Sequence, residues 1–96
     1  MLMPQLLHDK RDAIVQIAAQ HGVTRVRIFG SFARDAATPT SDIDFLVDVG
    51  PVTSAWFPAG LVLDLEGLLG RRVDIVTERA LRPELRESVL RDARPL

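Results

Sequence analysis

Residues 23–49, VTRVRIFGSFARDAATPTSDIDFLVDV, decide the fold, because two strand-like stretches flank a loop of small and polar residues. The first stretch, Val23 to Phe29, alternates β-branched or aromatic residues with arginines and ends at Gly30. The second, Ile43 to Val49, alternates and then becomes continuously apolar. Two such stretches joined by a loop predict neighbouring strands of a small sheet.

The segments around these strands are predicted to be mostly helical. Apolar residues recur at helical spacing, and glycine or proline stands at the expected ends. The predicted helices cover Pro4 to Gln20, Ser31 to Ala37 with Ser31 as N-cap, Leu61 to Leu69, and Pro83 to Arg91. Val73 to Val76 is predicted as a third strand. The order of these helices and strands predicts an α/β (α+β) protein, with a small mixed sheet of three or four strands covered by helices. We expect one domain spanning residues 1–96.

Composition excludes several classes of function. Twelve Lys and Arg residues balance thirteen Asp and Glu residues, so there is no global basic field and no strong nucleic-acid binding is expected. The chain has no cysteine, which excludes disulfides and thiolate metal sites. No apolar run approaches the length needed to span a bilayer, and the first residues do not resemble a signal peptide. We therefore expect a cytoplasmic protein.

Three acidic residues occupy positions that packing alone would not select. Asp42 and Asp44 flank Ile43, so in a strand both carboxylates lie on one face while Ile43 points to the other. Asp74 interrupts an apolar strand and can join them if the two strands are neighbours. Like charges about 4 Å apart cost about 4 kcal/mol per pair at an effective dielectric near 20. A cation is therefore expected, and Mg²⁺ suits carboxylate oxygens combined with substrate phosphates.

Gly30 and Ser31 form the other half of the predicted site. Glycine allows a phosphate to approach the backbone, and a helix beginning at Ser31 would offer unpaired N–H groups. Arg34, one helical turn later, can reach a phosphate, although a solvated arginine is the simpler interpretation. A Gly-Ser pair or an Asp-x-Asp motif alone is usually structural. Their combination with a later buried-strand aspartate predicts a nucleotide site.

The stretch GSFARDAATPTSDIDFLVD, with ten residues between Ser31 and Asp42, resembles the signature of the DNA polymerase β-type nucleotidyltransferase superfamily. Together with the ending RRVDIVTERALRPELRESVL, it is similar to the minimal nucleotidyltransferases. Many of these are MntA-like antitoxins of HEPN/MNT toxin–antitoxin pairs. The resemblance covers nearly the whole chain, and it implies the nucleotidyltransferase fold.

The resemblance also implies residue roles and partners. Gly30 and Ser31 would bind the triphosphate of ATP, and Asp42 and Asp44 would hold two Mg²⁺ ions. Asp74 would be the third carboxylate and help to deprotonate the acceptor hydroxyl. The implied acceptor is a tyrosine of a HEPN-domain toxin, with AMP as the transferred group. Asp35 departs from the family, which often has glycine there, and its charge is expected to weaken nucleotide binding.

Two alternative functions stay open at this point. One is a non-catalytic antitoxin that neutralises its partner by contact, and the other is a stand-alone nucleotidyltransferase acting on a small molecule or a nucleic-acid end. Intact carboxylates argue against the first, and the absence of a basic surface argues against the second. An oligomer is compatible with either.

Overall fold

A four-stranded mixed sheet forms the centre of the protein, which a computed structural model describes over residues 2–96, with side chains from residue 5 onward. The strands are β1 (Val23–Phe29), β2 (Ile43–Val49), β3 (Val73–Thr77) and β4 (Arg94–Pro95). Their order is β3-β2-β1-β4. β1 is antiparallel to β2 and β4, whereas β2 and β3 are parallel. The predicted fold class is confirmed, and the bounds of β1 and β2 agree with those predicted.

The part of the chain that the structure describes also contains four α-helices and one 3-10 helix: α1 (Leu2–Asp9), α2 (Arg11–Gln20), α3 (Ala59–Leu69), the 3-10 helix (Glu78–Ala80) and α4 (Pro83–Asp92). In residues 2–96 no helix is long and apolar enough to cross a membrane. α3 ends at Gly70, which adopts the left-handed conformation typical of a helix C-terminus. α4 begins with Pro83 in its first turn, as predicted.

Two of the helix predictions were wrong in detail. The predicted helix over Pro4 to Gln20 is interrupted at Lys10, whose backbone (φ −100°, ψ 5°) departs from helical geometry. The predicted helix over Ser31 to Ala37 is instead a series of turns. Asp35 has φ +59°, which no right-handed helix accommodates. The Ala36 amide bonds back to the Ser31 carbonyl at 2.8 Å, which closes a wider turn than a helical one.

The hydrophobic core lies between β2 and the helices. Ile43, Phe45 and Val47 alternate along β2 and face this core, each 2 % exposed or less. They pack with a cluster drawn from every layer: Leu7, Ile14, Ala18, Val23, Phe32, Leu61, Leu65, Leu69, Val73 and Ile75. Asp44 and Asp48 therefore project from the opposite face of β2.

His21 joins three segments at the end of the sheet remote from Gly30. It follows α2, and its ring nitrogens contact Ser54 Oγ at 2.6 Å and Asp64 Oδ2 at 2.7 Å. Ser54 lies in the loop after β2, and Asp64 lies on α3. His21 is therefore a side-chain bridge between the end of α2, a loop and α3.

Candidate functional site

Three carboxylates lie at one end of the sheet, where β2 and β3 both begin. Asp42 immediately precedes β2, and Asp44 is the second residue of that strand. In the parallel pairing of β2 with β3, Asp44 is the register partner of Asp74. Register partners on adjacent strands point to the same face, with backbones about 4.8 Å apart. The predicted neighbourhood of Asp44 and Asp74 is therefore present in the structure.

The loop after β1, residues 30–37, is called the glycine loop here. It lies at the same end of the sheet because β1 is antiparallel to β2. Phe29, the last residue of β1, is the register partner of Asp44, so the chain leaves β1 beside the carboxylates. Gly30 has φ +72°, and a Cβ atom added there would collide with Oδ2 of Asp44. Any side chain at position 30 would therefore displace the central carboxylate. Glycine is required here for its backbone conformation and for the missing side chain.

The electrostatics of Asp44 reflect this crowding. Burial, followed by the negative charges of Asp74 and Asp42, raises the pKa of Asp44 from 3.8 to about 6, while the positive charge of Arg34 opposes the rise. No described residue forms a hydrogen bond or ion pair with the carboxylate of Asp44 or Asp74. The site therefore holds uncompensated negative charge, which a bound cation would stabilise.

The carboxylates fit a hard divalent cation. Oδ1 of Asp42 lies 3.7 Å from Nε of Arg72, but the side chains are 45 % and 85 % exposed, so this ion pair is weak. Across residues 2–96 no three metal-ligating side chains are already drawn together as a preformed cage. Mg²⁺ usually completes its shell with water and substrate phosphates, and the donor set at this sheet end consists of the oxygen ligands it prefers.

The turns after Gly30 leave several backbone amides without an acceptor among the described residues. Within residues 2–96, no acceptor engages the amides of Ser31, Phe32 and Ala33, although the Arg34 amide bonds to the Gly30 carbonyl at 3.1 Å. The Phe32 and Ala33 side chains are buried, which anchors the loop. Consecutive unpaired amides of this kind bind anions without a regular helix. The predicted helix is absent, but the backbone amides proposed to bind phosphate have no acceptor within residues 2–96.

The Arg34 side chain is more than half exposed, but it is paired with a carboxylate. Its Nη1 donates to Asp92 Oδ2 at 2.7 Å, and its charge acts on Asp44. The neighbouring Asp35 is exposed and adopts φ +59°, a conformation that glycine takes without strain and aspartate tolerates better than most residues. This conformation explains why glycine suits the position.

Arg71, which lies between α3 and β3, supports the site without belonging to the predicted set of residues. Its Nη2 donates to the carbonyls of Thr38 and Ser41 at 2.8 and 2.7 Å. Its guanidinium also lies 5.2 Å from the centre of the Phe32 ring, a cation–π distance. Arg71 thus joins the turn preceding Asp42 to the glycine loop. Because these partners are 30 or more residues away, no local sequence signal could have identified the contact.

Comparisons with known proteins identify the family and the fold of the chain. The profile of the nucleotidyltransferase domain matches residues 11–96. A relative from Methanocaldococcus jannaschii that carries the name of a protein adenylyltransferase is 38 % identical over 87 residues, covering 91 % of this chain and 94 % of its own length. Further relatives, among them the Thermococcus cleftensis protein adenylyltransferase MntA, have similar names.

Solved structures share the fold. A structure described as a minimal nucleotidyltransferase superposes with a TM-score of 0.83 at 51 % identity, covering 96 % of this chain and 94 % of that one. A toxin–antitoxin structure with AMP-PNP superposes with a TM-score of 0.74 at 21 % identity, covering 88 % and 69 %. The second match concerns the fold alone.

Proposed function

The chain belongs to the nucleotidyltransferase domain family, and on this basis we propose that it transfers AMP from ATP to a hydroxyl group of a partner protein. The observation that carries the proposal is the juxtaposition of Asp44 with Asp74 on one side and Gly30 on the other. This arrangement combines a divalent-cation site with an anion-binding loop, as nucleotidyl transfer requires.

Each part of the site has a role in this proposal. The Asp42, Asp44 and Asp74 carboxylates hold Mg²⁺, with two ions expected. The backbone at Gly30 and Ser31 binds the triphosphate, and Arg34 adds a positive charge. The bound metal would supply charge neutralisation and Lewis acidity. The protein residues position the reactants and balance their charge.

The transfer balances as a single displacement. The acceptor oxygen forms a bond to the α-phosphorus of ATP. The bond from the α-phosphorus to the oxygen that bridges the α- and β-phosphates breaks, and pyrophosphate leaves. The acceptor proton passes to the Asp74 carboxylate, which is exposed and therefore able to return it to water. The Ser31 and Phe32 amides, which have no acceptor among the described residues, would stabilise the charge on the departing phosphates.

For the acceptor we propose a tyrosine of a HEPN-domain toxin. Support comes from relatives named as protein adenylyltransferases and from the fold shared with a toxin–antitoxin structure. The chain also exposes large apolar side chains suited to a protein partner: Trp56 is 87 % exposed and Leu63 on α3 is 68 % exposed.

The test uses ATP labelled on the α-phosphate, Mg²⁺ and a co-encoded HEPN-domain protein. Wild type is expected to label the partner, and the double variant Asp42→Asn with Asp44→Asn is expected to lose labelling. Asp12→Asn is the matched control, because it removes an exposed carboxylate from α2. A Tyr→Phe change at the labelled position of the partner should abolish the label.

Other results would favour the alternatives. If the double variant neutralises the toxin as well as wild type, contact alone is sufficient and the transferase proposal fails. If no protein is labelled but pyrophosphate is released with a small alcohol or a nucleic-acid end, the acceptor assignment is wrong while nucleotidyl transfer stands.

A further inference from the structure

The side chain of Arg34 is held by a residue far away in the chain. Its partner is Asp92, the last residue of α4, which is 58 positions later. The Asp92 side chain is 26 % exposed and that of Arg34 is 55 % exposed. The other acidic residue in the last two turns of α4, Glu87, pairs within its own helix with Arg91. In α4, Asp92 is thus the residue that reaches the glycine loop.

The position of Asp92 is set by the backbone around it. The Ala93 amide bonds to the Val89 carbonyl at 2.9 Å and closes the helix. The chain then enters β4, where Arg94 is the register partner of Ile28 in β1. Asp92 is therefore anchored beside the end of β1, from which the glycine loop emerges.

Helix stability does not explain an aspartate at this place. A negative charge at a helix C-terminus opposes the helix dipole, and an exposed ion pair adds little to the stability of a fold. The acid at position 92 is unfavourable for α4 itself. An explanation for it has to come from what it does to Arg34.

The pairing leaves most of the Arg34 guanidinium available. Only Nη1 contacts Asp92, and no described residue engages Nη2 or Nε. A guanidinium carries five N–H donors in a planar fork, so it can contact Asp92 and a phosphate together. The Arg34 amide bonds to the Gly30 carbonyl at 3.1 Å, which places Arg34 one turn from the glycine that lies against the Asp44 carboxylate.

We propose that Asp92 is a positioning residue that holds Arg34 in place to bind the terminal phosphates of the nucleoside triphosphate. Asp92 does not touch the nucleotide, and this role rests on the proposed function. Without Asp92, the long Arg34 side chain has to be ordered when the nucleotide binds. Ordering one such side chain lowers affinity about three- to ten-fold.

The experiment measures binding of ATP and of AMP, each with Mg²⁺, by titration calorimetry or competition. Asp92→Ala is expected to weaken ATP binding about three- to ten-fold and to leave AMP binding unchanged, because AMP lacks the terminal phosphates. Asp92→Glu should recover most of the ATP affinity. In an Arg34→Ala background, Asp92→Ala should have little additional effect. In the transfer assay, the KM for ATP should rise while kcat changes less than about two-fold.

Thermal melting separates positioning from a structural role. Asp92→Ala is expected to melt at the same temperature as wild type or higher, because it removes the unfavourable charge from the end of α4. Stability and ATP affinity would then change in opposite directions. Glu87→Ala, which breaks only a pair within α4, is the control and should leave ATP affinity unchanged.

Several outcomes would overturn the proposal. Equal losses for ATP and AMP, a loss that persists without Arg34, or tighter ATP binding in Asp92→Ala would each contradict it. If wild type binds ATP and labels its partner but Asp92→Ala behaves like wild type, positioning fails while the transferase proposal stands. If wild type binds no ATP at all, both fail.

Discussion

Replacing Asp44 with asparagine should stabilise the metal-free protein. In the folded chain the pKa of Asp44 is raised from 3.8 to about 6 by burial and by the charges of Asp74 and Asp42. The folded state thus favours the protonated carboxyl, and the stabilisation that protonation provides is lost as pH rises from about 4 through about 6. Above that range the ionised carboxylate destabilises the fold. Asparagine has nearly the same shape and no charge.

The magnitude follows from the two pKa values. At about 1.4 kcal/mol per pKa unit, the rise in the pKa of Asp44 from 3.8 to about 6 corresponds to a destabilisation of about 3 kcal/mol at neutral pH. The carboxylate is only half-buried, so solvent screening reduces this to about 1–2 kcal/mol. For a domain of this size, such a gain raises Tm by roughly 5–15 °C.

The assay is urea denaturation of wild type and Asp44→Asn between about pH 4 and about pH 8 in the presence of EDTA. The two proteins should be nearly equally stable at the acid end, and the variant should be more stable above about pH 6. The stability of the control variant Asp12→Asn, which changes a surface residue of α2, should vary with pH in the same way as that of wild type. Adding Mg²⁺ and ATP should stabilise wild type but not the Asp44 variant. A difference that is independent of pH, or a variant less stable than wild type at neutral pH, would refute the reasoning.

Three further predictions concern single positions. Gly30→Ala should destabilise the fold by about 1–3 kcal/mol in urea denaturation and weaken ATP binding more than ten-fold, because the new Cβ would displace the Asp44 carboxylate. Normal ATP binding by this variant would mean that the loop can move away from Asp44. Asp35→Gly should stabilise the protein by up to about 1 kcal/mol in thermal melting, because glycine relieves the strain of the left-handed conformation, whereas Asp35→Ala should not. Equal effects of the two variants would show that the charge of Asp35, and not its backbone strain, determines stability at this position. His21→Ala should cost about 1–3 kcal/mol by removing the bridge to Ser54 and Asp64, and an unchanged melting curve would mean that the bridge adds nothing.

The strands were predictable because their patterns are local. Apolar and polar residues alternate from Arg25 to Ile28 in β1, and from Ile43 to Phe45 at the start of β2. Gly30, Ser41 and Gly50 bound these two stretches, so the strand limits can be read from the sequence. β4 was not predicted as an element, since Arg94 and Pro95 have no pattern of their own. They form a strand only because the β1 edge is available beside them. A strand of only two residues depends on its pairing with the neighbouring strand, so its own sequence does not predict it.

The loop after β1 shows where local reasoning fails. Ser31 has the chemistry of a helix N-cap, and the small residues after it are compatible with a helix. Burial of Phe32 and Ala33 and the positive φ of Asp35 determine a series of turns instead. These are tertiary constraints, and they override a weak helical preference in so short a segment.

The sequence alone was enough to place Asp42 and Asp44 on one face of a strand, since side chains alternate along any strand. It also marked Gly30 as a point of close approach. Only the tertiary structure decided that Asp74 is the register partner of Asp44, because parallel pairing joins segments thirty residues apart. It likewise decided that Arg34 is held by Asp92, a contact that depends on how α4 and β4 return to the edge of β1.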